Sequence, residues 1–176
     1  MTRIFLIGPM GSGKTTVGRH LARRLGMDFV DLDHEIQARC GVEVAVIFDI
    51  EGEQGFRKRE SEMLDELSQR DNLILATGGG SILDPLNRQR LSERGLVVYL
   101  KTSVNQQLRR LERDKQRPLL QAPDRRQKLI ELAKARNPVY EDAAELVVAS
   151  ANIPPPAMAE RVEQAICKHL ERERIE

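Results

Sequence analysis

Gly8-Pro9-Met10-Gly11-Ser12-Gly13-Lys14-Thr15 stands directly after the apolar run Ile4 to Ile7 and opens the amphipathic stretch Thr15 to Leu25. The octapeptide fits G-x-x-x-x-G-K-[ST], and strand, loop, helix is the context in which that pattern cradles a polyphosphate. A phosphate chain needs backbone N–H groups turned inward around it, and glycine permits the dihedrals and the close approach this requires. Lys14 then reaches the outer phosphates as a point charge, Thr15 offers its hydroxyl to Mg²⁺, and the positive end of the following helix faces the anion. Gly11, Ser12, Gly13 and Thr16 complete the expected ATP contacts. A dinucleotide-binding turn would need glycine at position 16, where Thr16 stands.

Working outward, short apolar runs at Ile4 to Ile7, Phe29 to Leu32, Leu73 to Ala76, Leu96 to Leu100 and Leu146 to Val148 read as strands buried on both faces. Thr15 to Leu25, Gln54 to Leu67, Val104 to Leu111, Arg126 to Ala135 and Ala157 to Leu170 read as helices; Phe56, Met63, Leu64 and Leu67 form one helical stripe. Five strands alternating with helices predict an α/β fold, a parallel sheet between two helical layers. Such sheets bind ligands at the carboxyl ends of their strands, here just after Ile7, Leu32 and Ala76.

The chain has 176 residues, 40% hydrophobic and 31% charged, which suits one domain, 1–176, with a real core. Twenty-eight Lys+Arg against 27 Asp+Glu leave +1, so no global field draws a nucleic acid or an acidic membrane, and any anion is held locally. No apolar run approaches the roughly 18–20 residues of a membrane span, and the expected location is cytoplasmic. Cys40 and Cys167 lie far apart and read as free thiols; His20, His34 and His169 show no metal-ligand spacing.

Asp31 and Asp33 are expected to end the second strand, where residues two apart share a face and both carboxylates point into one crevice. Asp31 then serves the Mg²⁺ side and Asp33 accepts a substrate proton. The competing reading makes Asp33 a helix N-cap and leaves Asp31 solvated. Arg57 in Phe56-Arg57-Lys58-Arg59 presents a fork suited to a carboxylate, although that stretch taken alone reads first as a solvated basic face. Thr77-Gly78-Gly79-Gly80 follows the third strand, and three glycines there suit close approach of a ligand. Arg117-Pro118 lies in a charged, proline-punctuated excursion, Glu112 to Arg126, from which Arg117 swings over the γ-phosphate, with Arg110 flanking the nucleotide. Without such a context, each is an ordinary surface arginine. Arg136-Asn137-Pro138 is read as the end of a helix and as a further candidate for an acid.

With these residues together, the sequence resembles the shikimate kinases, in the nucleoside-monophosphate-kinase-like branch of P-loop proteins. The resemblance spans Ile4 to Ala149 and rests on the phosphate loop, Phe29-Val30-Asp31-Leu32-Asp33, the run Ile47 to Arg57, Thr77 to Gly80, Arg117-Pro118-Leu119-Leu120 and Arg136 to Tyr140. It implies transfer of the γ-phosphoryl group of ATP to the 3-hydroxyl of shikimate, on the route to chorismate and the aromatic amino acids. It implies a strand order of 2-3-1-4-5, a substrate region around 33–60 and a lid around 112–124. Under it, Asp33 partners the reacting hydroxyl, and Arg57 and Arg136 clamp the carboxylate. Gly78, Gly79 and Gly80 approach the ring, Arg117 bridges to the phosphates, and Asp31 assists Mg²⁺. It also implies a monomer, and an adenine edge near Asn152 to Pro154. Many members carry threonine where Leu111 stands and tryptophan near Val46.

The nearest rival is another small-molecule kinase, for gluconate or a nucleoside monophosphate; Arg136 and the triple glycine together favour a rigid ring acid. A nucleotide-switched binding module is the rival of another class. It lacks support here, because N-K-x-D and L-S-G-G-Q are absent and two tyrosines with no tryptophan give little surface for base stacking.

Overall fold

The computed structural model describes residues 3–112 and 123–175. Five strands, β1 (Arg3–Ile7), β2 (Asp28–Asp31), β3 (Leu73–Ala76), β4 (Leu96–Lys101) and β5 (Leu146–Ala149), form one parallel sheet in the order β2-β3-β1-β4-β5. This is the expected α/β architecture and strand order. Around the sheet lie α1 (Lys14–Leu25), α2 (Leu32–Cys40), α3 (Val44–Leu67), α4 (Pro85–Arg94), α5 (Val104–Leu111), α6 (Arg125–Ala143) and α7 (Pro155–Glu173), with a short 3-10 turn at Ser81–Leu83.

Strand side chains alternate between faces, and the apolar runs split accordingly. Phe5, Ile7, Leu73, Leu75, Val97 and Tyr99 enter a core closed by α2, α3, α4 and α6 through Ile36, Leu64, Leu91 and Tyr140. Ile4, Leu6, Ile74, Val98 and Leu100 enter the opposite core, closed by Val17 and Leu21 of α1 and by Met158, Val162 and Ile166 of α7. Burying one such Leu or Ile contributes about 1.5–3 kcal/mol, which explains why continuous rather than alternating apolar runs mark the three inner strands.

Helix α2 was not read from the sequence. Leu32, assigned there to the second strand, is the first residue of α2, and Asp31 caps it by accepting from the His34 backbone N–H at 3.1 Å. Helix α4 was missed too, though it carries the ordinary start signal: Asp84 accepts from the Leu86 N–H and Pro85 occupies the first turn. Helix α3 begins ten residues earlier than expected, bending at Gly52, whose φ of 70° leaves the helical region. Salt bridges from Arg59 to Glu51 across that bend and from Arg39 of α2 to Glu66 of α3, each 2.6 Å at its shortest, tie these segments together. The Arg59 guanidinium holds the Glu51 carboxyl below its usual range.

Tyr99 lies stacked on Tyr140 with ring centroids 5.1 Å apart. Burial, with a smaller contribution from the Glu141 charge, pushes the Tyr99 phenol up to about 12. The unfolded chain ionises this group near pH 10, so its contribution to stability is full below that value and is lost as pH rises toward 12. Melting temperature followed from pH 9 to 12 should therefore fall less steeply for Tyr99→Phe than for the parent; parallel curves would contradict this origin.

Candidate active site

The carboxyl edge of the sheet gathers the loop after β1, the start of α2 and the loop after β3. Gly8, Gly11 and Gly13 hold φ of 146°, 76° and 89°, which side-chain-bearing residues rarely adopt. Ser12 is buried within the loop, and Gly13 caps α1 in the left-handed conformation, so the helix N-terminus opens toward the cleft. Lys14 folds over the loop, its Nζ 2.7 Å from the Gly8 carbonyl oxygen and 3.0 Å from that of Pro9. The Thr15 hydroxyl donates to Asp31 Oδ2, pairing two hard oxygen donors of the kind Mg²⁺ takes. The cradle thus fits a nucleoside triphosphate, and Thr15 with Asp31 fits its metal.

Asp33 does not lie on β2. Because the chain turns into α2 at Asp31, Asp33 sits in the first helical turn and reaches the cleft by a helical rather than a strand path. The expected adjacency survives on a different local geometry. The N-cap alternative is also revised, since the cap is Asp31 and not Asp33.

One cleft of about 430 Å³ is lined by Lys14, Thr15, Thr16, Asp31, Asp33, Phe48, Arg57, Gly78, Gly79, Gly80, Arg110 and Arg136 among others. Arg57 is no solvated basic face. Its guanidinium lies 5.3 Å from the Phe56 ring centroid and donates to Glu60 Oε2 at 2.6 Å, while Glu60 Oε1 accepts from the Ser81 hydroxyl at 2.7 Å. Glu60 is only 1% exposed. Removing one partner from a buried pair costs about 3–5 kcal/mol, less here because Arg57 keeps access to water. Glu60 escaped the sequence reading, although its signal is plain: an acid within the apolar stripe Phe56, Met63, Leu64, Leu67, one turn beyond Arg57.

Two of the three glycines have a steric cause. A Cβ at Gly78 would collide with Glu60 and stand 3.2 Å from Asp33 Oδ1; one at Gly80 would collide with the Arg57 guanidinium. Two charged groups therefore occupy the space where side chains would be. Arg136 is buried, 7% exposed, and it lies in the middle of α6 rather than at a helix end. Pro138 does not stop that helix, which continues to Ala143 and buries Tyr140 one turn past Arg136. A proline removes one N–H bond, and the packing of Tyr140 outweighs the loss.

On the other flank, Arg110 donates to the Gly11 carbonyl at 3.0 Å, the Ser150 hydroxyl at 3.0 Å and the Ala151 carbonyl at 3.2 Å. It thereby joins the phosphate loop to the segment entering Asn152 to Pro154. Gln107, which sequence reasoning missed, braces the same loop by donating to the Met10 carbonyl at 2.9 Å. Leu111 packs with Met10 and Leu129 under Gly11, so the residue that departs from the usual threonine serves the core. Val46, near which many members carry tryptophan, is 36% exposed. Arg117 and lid positions 113–122 lie outside the described residues. At the opposite end of β5, Glu145, His169 and Glu173 come together on the surface, a grouping that their sequence spacing did not suggest.

Residues 10–167 match the family described as Shikimate kinase. The chain belongs to the shikimate kinase family. A shikimate kinase of Pasteurella multocida is 56% identical over 146 residues, covering 82% of this chain and 83% of its own. One from Vibrio cholerae is 47% identical over 167 residues, covering 95% and 96%. Among solved structures, shikimate kinase from Acinetobacter baumannii in complex with shikimate superposes with a TM-score of 0.93 at 48% identity, covering 96% of this chain and 94% of that one. The reaction of a shikimate kinase is ATP-dependent phosphorylation of shikimate with Mg²⁺, and the fold described above is that of such an enzyme. Among the described residues, no helix is long and apolar enough to cross a membrane.

Proposed function

We propose a division of labour within this cleft for transfer of the γ-phosphoryl group of ATP to the 3-hydroxyl of shikimate. The observation that carries it is the convergence on one cavity of Lys14, Asp33, Arg57, Gly79 and Arg136. Arg57 and Arg136 hold the ring carboxylate, one kept in place by Glu60 and the other buried in α6. Gly78, Gly79 and Gly80 let the ring approach backbone, and Asp33 accepts the hydroxyl proton as the new O–P bond forms and the β–γ bridging P–O bond breaks. Gly11, Ser12, Gly13, Lys14, Thr15 and Thr16 bind the phosphates, and Lys14 leaves the Gly8 and Pro9 carbonyls to meet the negative charge of the γ group. Thr15 and Asp31 would hold Mg²⁺, which when bound neutralises phosphate charge. Arg110 flanks the nucleotide, Arg117 is assigned to the phosphates from the lid around 112–124, and the adenine edge falls near Asn152 to Pro154.

Catalysis on this reading is positioning and charge neutralisation with no covalent intermediate. The chain works as one kinase domain, 1–176, with its substrate region at about 33–60, as a cytoplasmic monomer without nucleic-acid or membrane partners. The near-balanced charge of +1 supports the last point.

The deciding assay couples ADP release to shikimate and, in parallel, to its analogue lacking the 3-hydroxyl. Release with shikimate alone is expected; equal release with both would mean hydrolysis and would remove the acceptor assignment. Arg57→Ala should raise KM for shikimate by about 10- to 100-fold with a smaller effect on kcat, because a charge-assisted bond worth about 1.5–3 kcal/mol is lost mainly from binding. Unchanged KM for shikimate would exclude Arg57 from the carboxylate clamp.

A further inference from the structure

One hydrogen bond at this site has no part in the proposed chemistry. The Tyr140 hydroxyl donates to the Gly79 carbonyl oxygen, and Tyr140 is fully buried against Tyr99. Burial raises the Tyr140 phenol above the usual tyrosine value, opposed by the nearby charge of Arg136. The phenol therefore stays protonated at neutral pH and remains a donor.

The Gly79 carbonyl belongs to the Gly79–Gly80 peptide. In a trans peptide the carbonyl and the following N–H point in opposite directions, so fixing the Gly79 oxygen also fixes the Gly80 N–H. This unit sits between the two arginines. A Cβ at Gly79 would lie 3.6 Å from the Tyr140 hydroxyl and 3.7 Å from Arg136 Nη1, whereas one at Gly80 would collide with the Arg57 guanidinium. Glycine backbone is the most easily rotated in the chain, and two adjacent glycines need an external restraint to hold one orientation. Tyr140 supplies that restraint from α6, the helix that also carries Arg136.

We propose that Tyr140 is a positioning residue whose hydroxyl sets the Gly79–Gly80 peptide between Arg57 and Arg136 and so tunes affinity for the substrate carboxylate. The inference rests on the reading of this cleft as the shikimate site. Tyr99 furnishes the control, because its hydroxyl is buried in the same stack with no hydrogen-bond partner among the described residues. Tyr99→Phe removes an oxygen without removing a bond.

The test uses the full chain with three variants of the measurement: steady-state kinetics for shikimate and ATP, calorimetric binding of shikimate, and kinetics with the methyl ester of shikimate. Tyr140→Phe should raise both KM and the dissociation constant for shikimate about tenfold, the loss of one net hydrogen bond, while kcat and KM for ATP stay within about twofold and Tyr99→Phe changes neither by more than about twofold. The ratio of kcat/KM between parent and Tyr140→Phe should shrink toward one for the methyl ester, which carries no carboxylate charge. A shikimate KM within twofold of the parent would overturn the assignment. So would an equal rise for shikimate, its ester and ATP, which is the pattern of general loosening. Failure of the parent to phosphorylate shikimate would overturn the functional reading together with this inference, whereas a normal parent with an unaffected Tyr140→Phe overturns only the latter.

Discussion

Asparagine in place of Asp33 lowers kcat for shikimate phosphorylation by about 10²–10⁴-fold, the range of a lost general base, and leaves KM for ATP nearly unchanged. The substitution keeps the size of the side chain and its ability to accept a hydrogen bond, but removes the group that takes the proton. Asp33 is not the cap of α2, so helix stability should be preserved. Steady-state kinetics alongside a melting curve separate the two effects: a large fall in kcat at constant melting temperature is expected. A kcat within threefold of the parent would remove Asp33 from the chemistry.

That site is legible in the sequence to an uneven degree, and the reasons are local. Gly8 to Thr15 declares itself because a phosphate cradle needs glycine at two positions, lysine at a third and a hydroxyl residue at a fourth. The three inner strands do so because burial on both faces leaves them wholly apolar. Asp31 ends β2 as expected, and only Asp33 falls elsewhere: a strand that runs on to Asp33 and a helix capped by Asp31 look alike until the pattern of Leu32 and Ile36 is read as one helical turn. Arg136 suffered from the opposite bias, since Pro138 suggests a helix end and only burial of Tyr140 shows that the helix runs on. Glu60 and Tyr140 were missed because each acts on another site residue rather than on a ligand, and that relation exists only in three dimensions.

Lys14→Met is the second large effect, a fall in kcat of about 10²–10³-fold from loss of one preorganised charge facing the developing transition state. The same variant should bind ATP more weakly, because the N-terminus of α1 and the loop N–H groups remain while the point charge does not. Lys14 also bonds the Gly8 and Pro9 carbonyls, so the change loosens the loop that it crosses. Single-turnover measurements at saturating ATP isolate the chemical step. A Lys14→Met variant that regains parental kcat when ATP is raised would confine the lysine to ground-state binding.

In the proposed division of labour, the acidic group at Asp33 and the two arginines behind it meet the terminal phosphate across one cavity. A crystal structure with shikimate and a non-hydrolysable ATP analogue tests it most directly. The 3-hydroxyl is expected within about 2.6–3.2 Å of the Asp33 carboxylate, on the side facing the γ group, with the ring carboxylate between Arg57 and Arg136. Shikimate bound with its carboxylate away from both arginines, or with Asp33 turned from the hydroxyl, would contradict it.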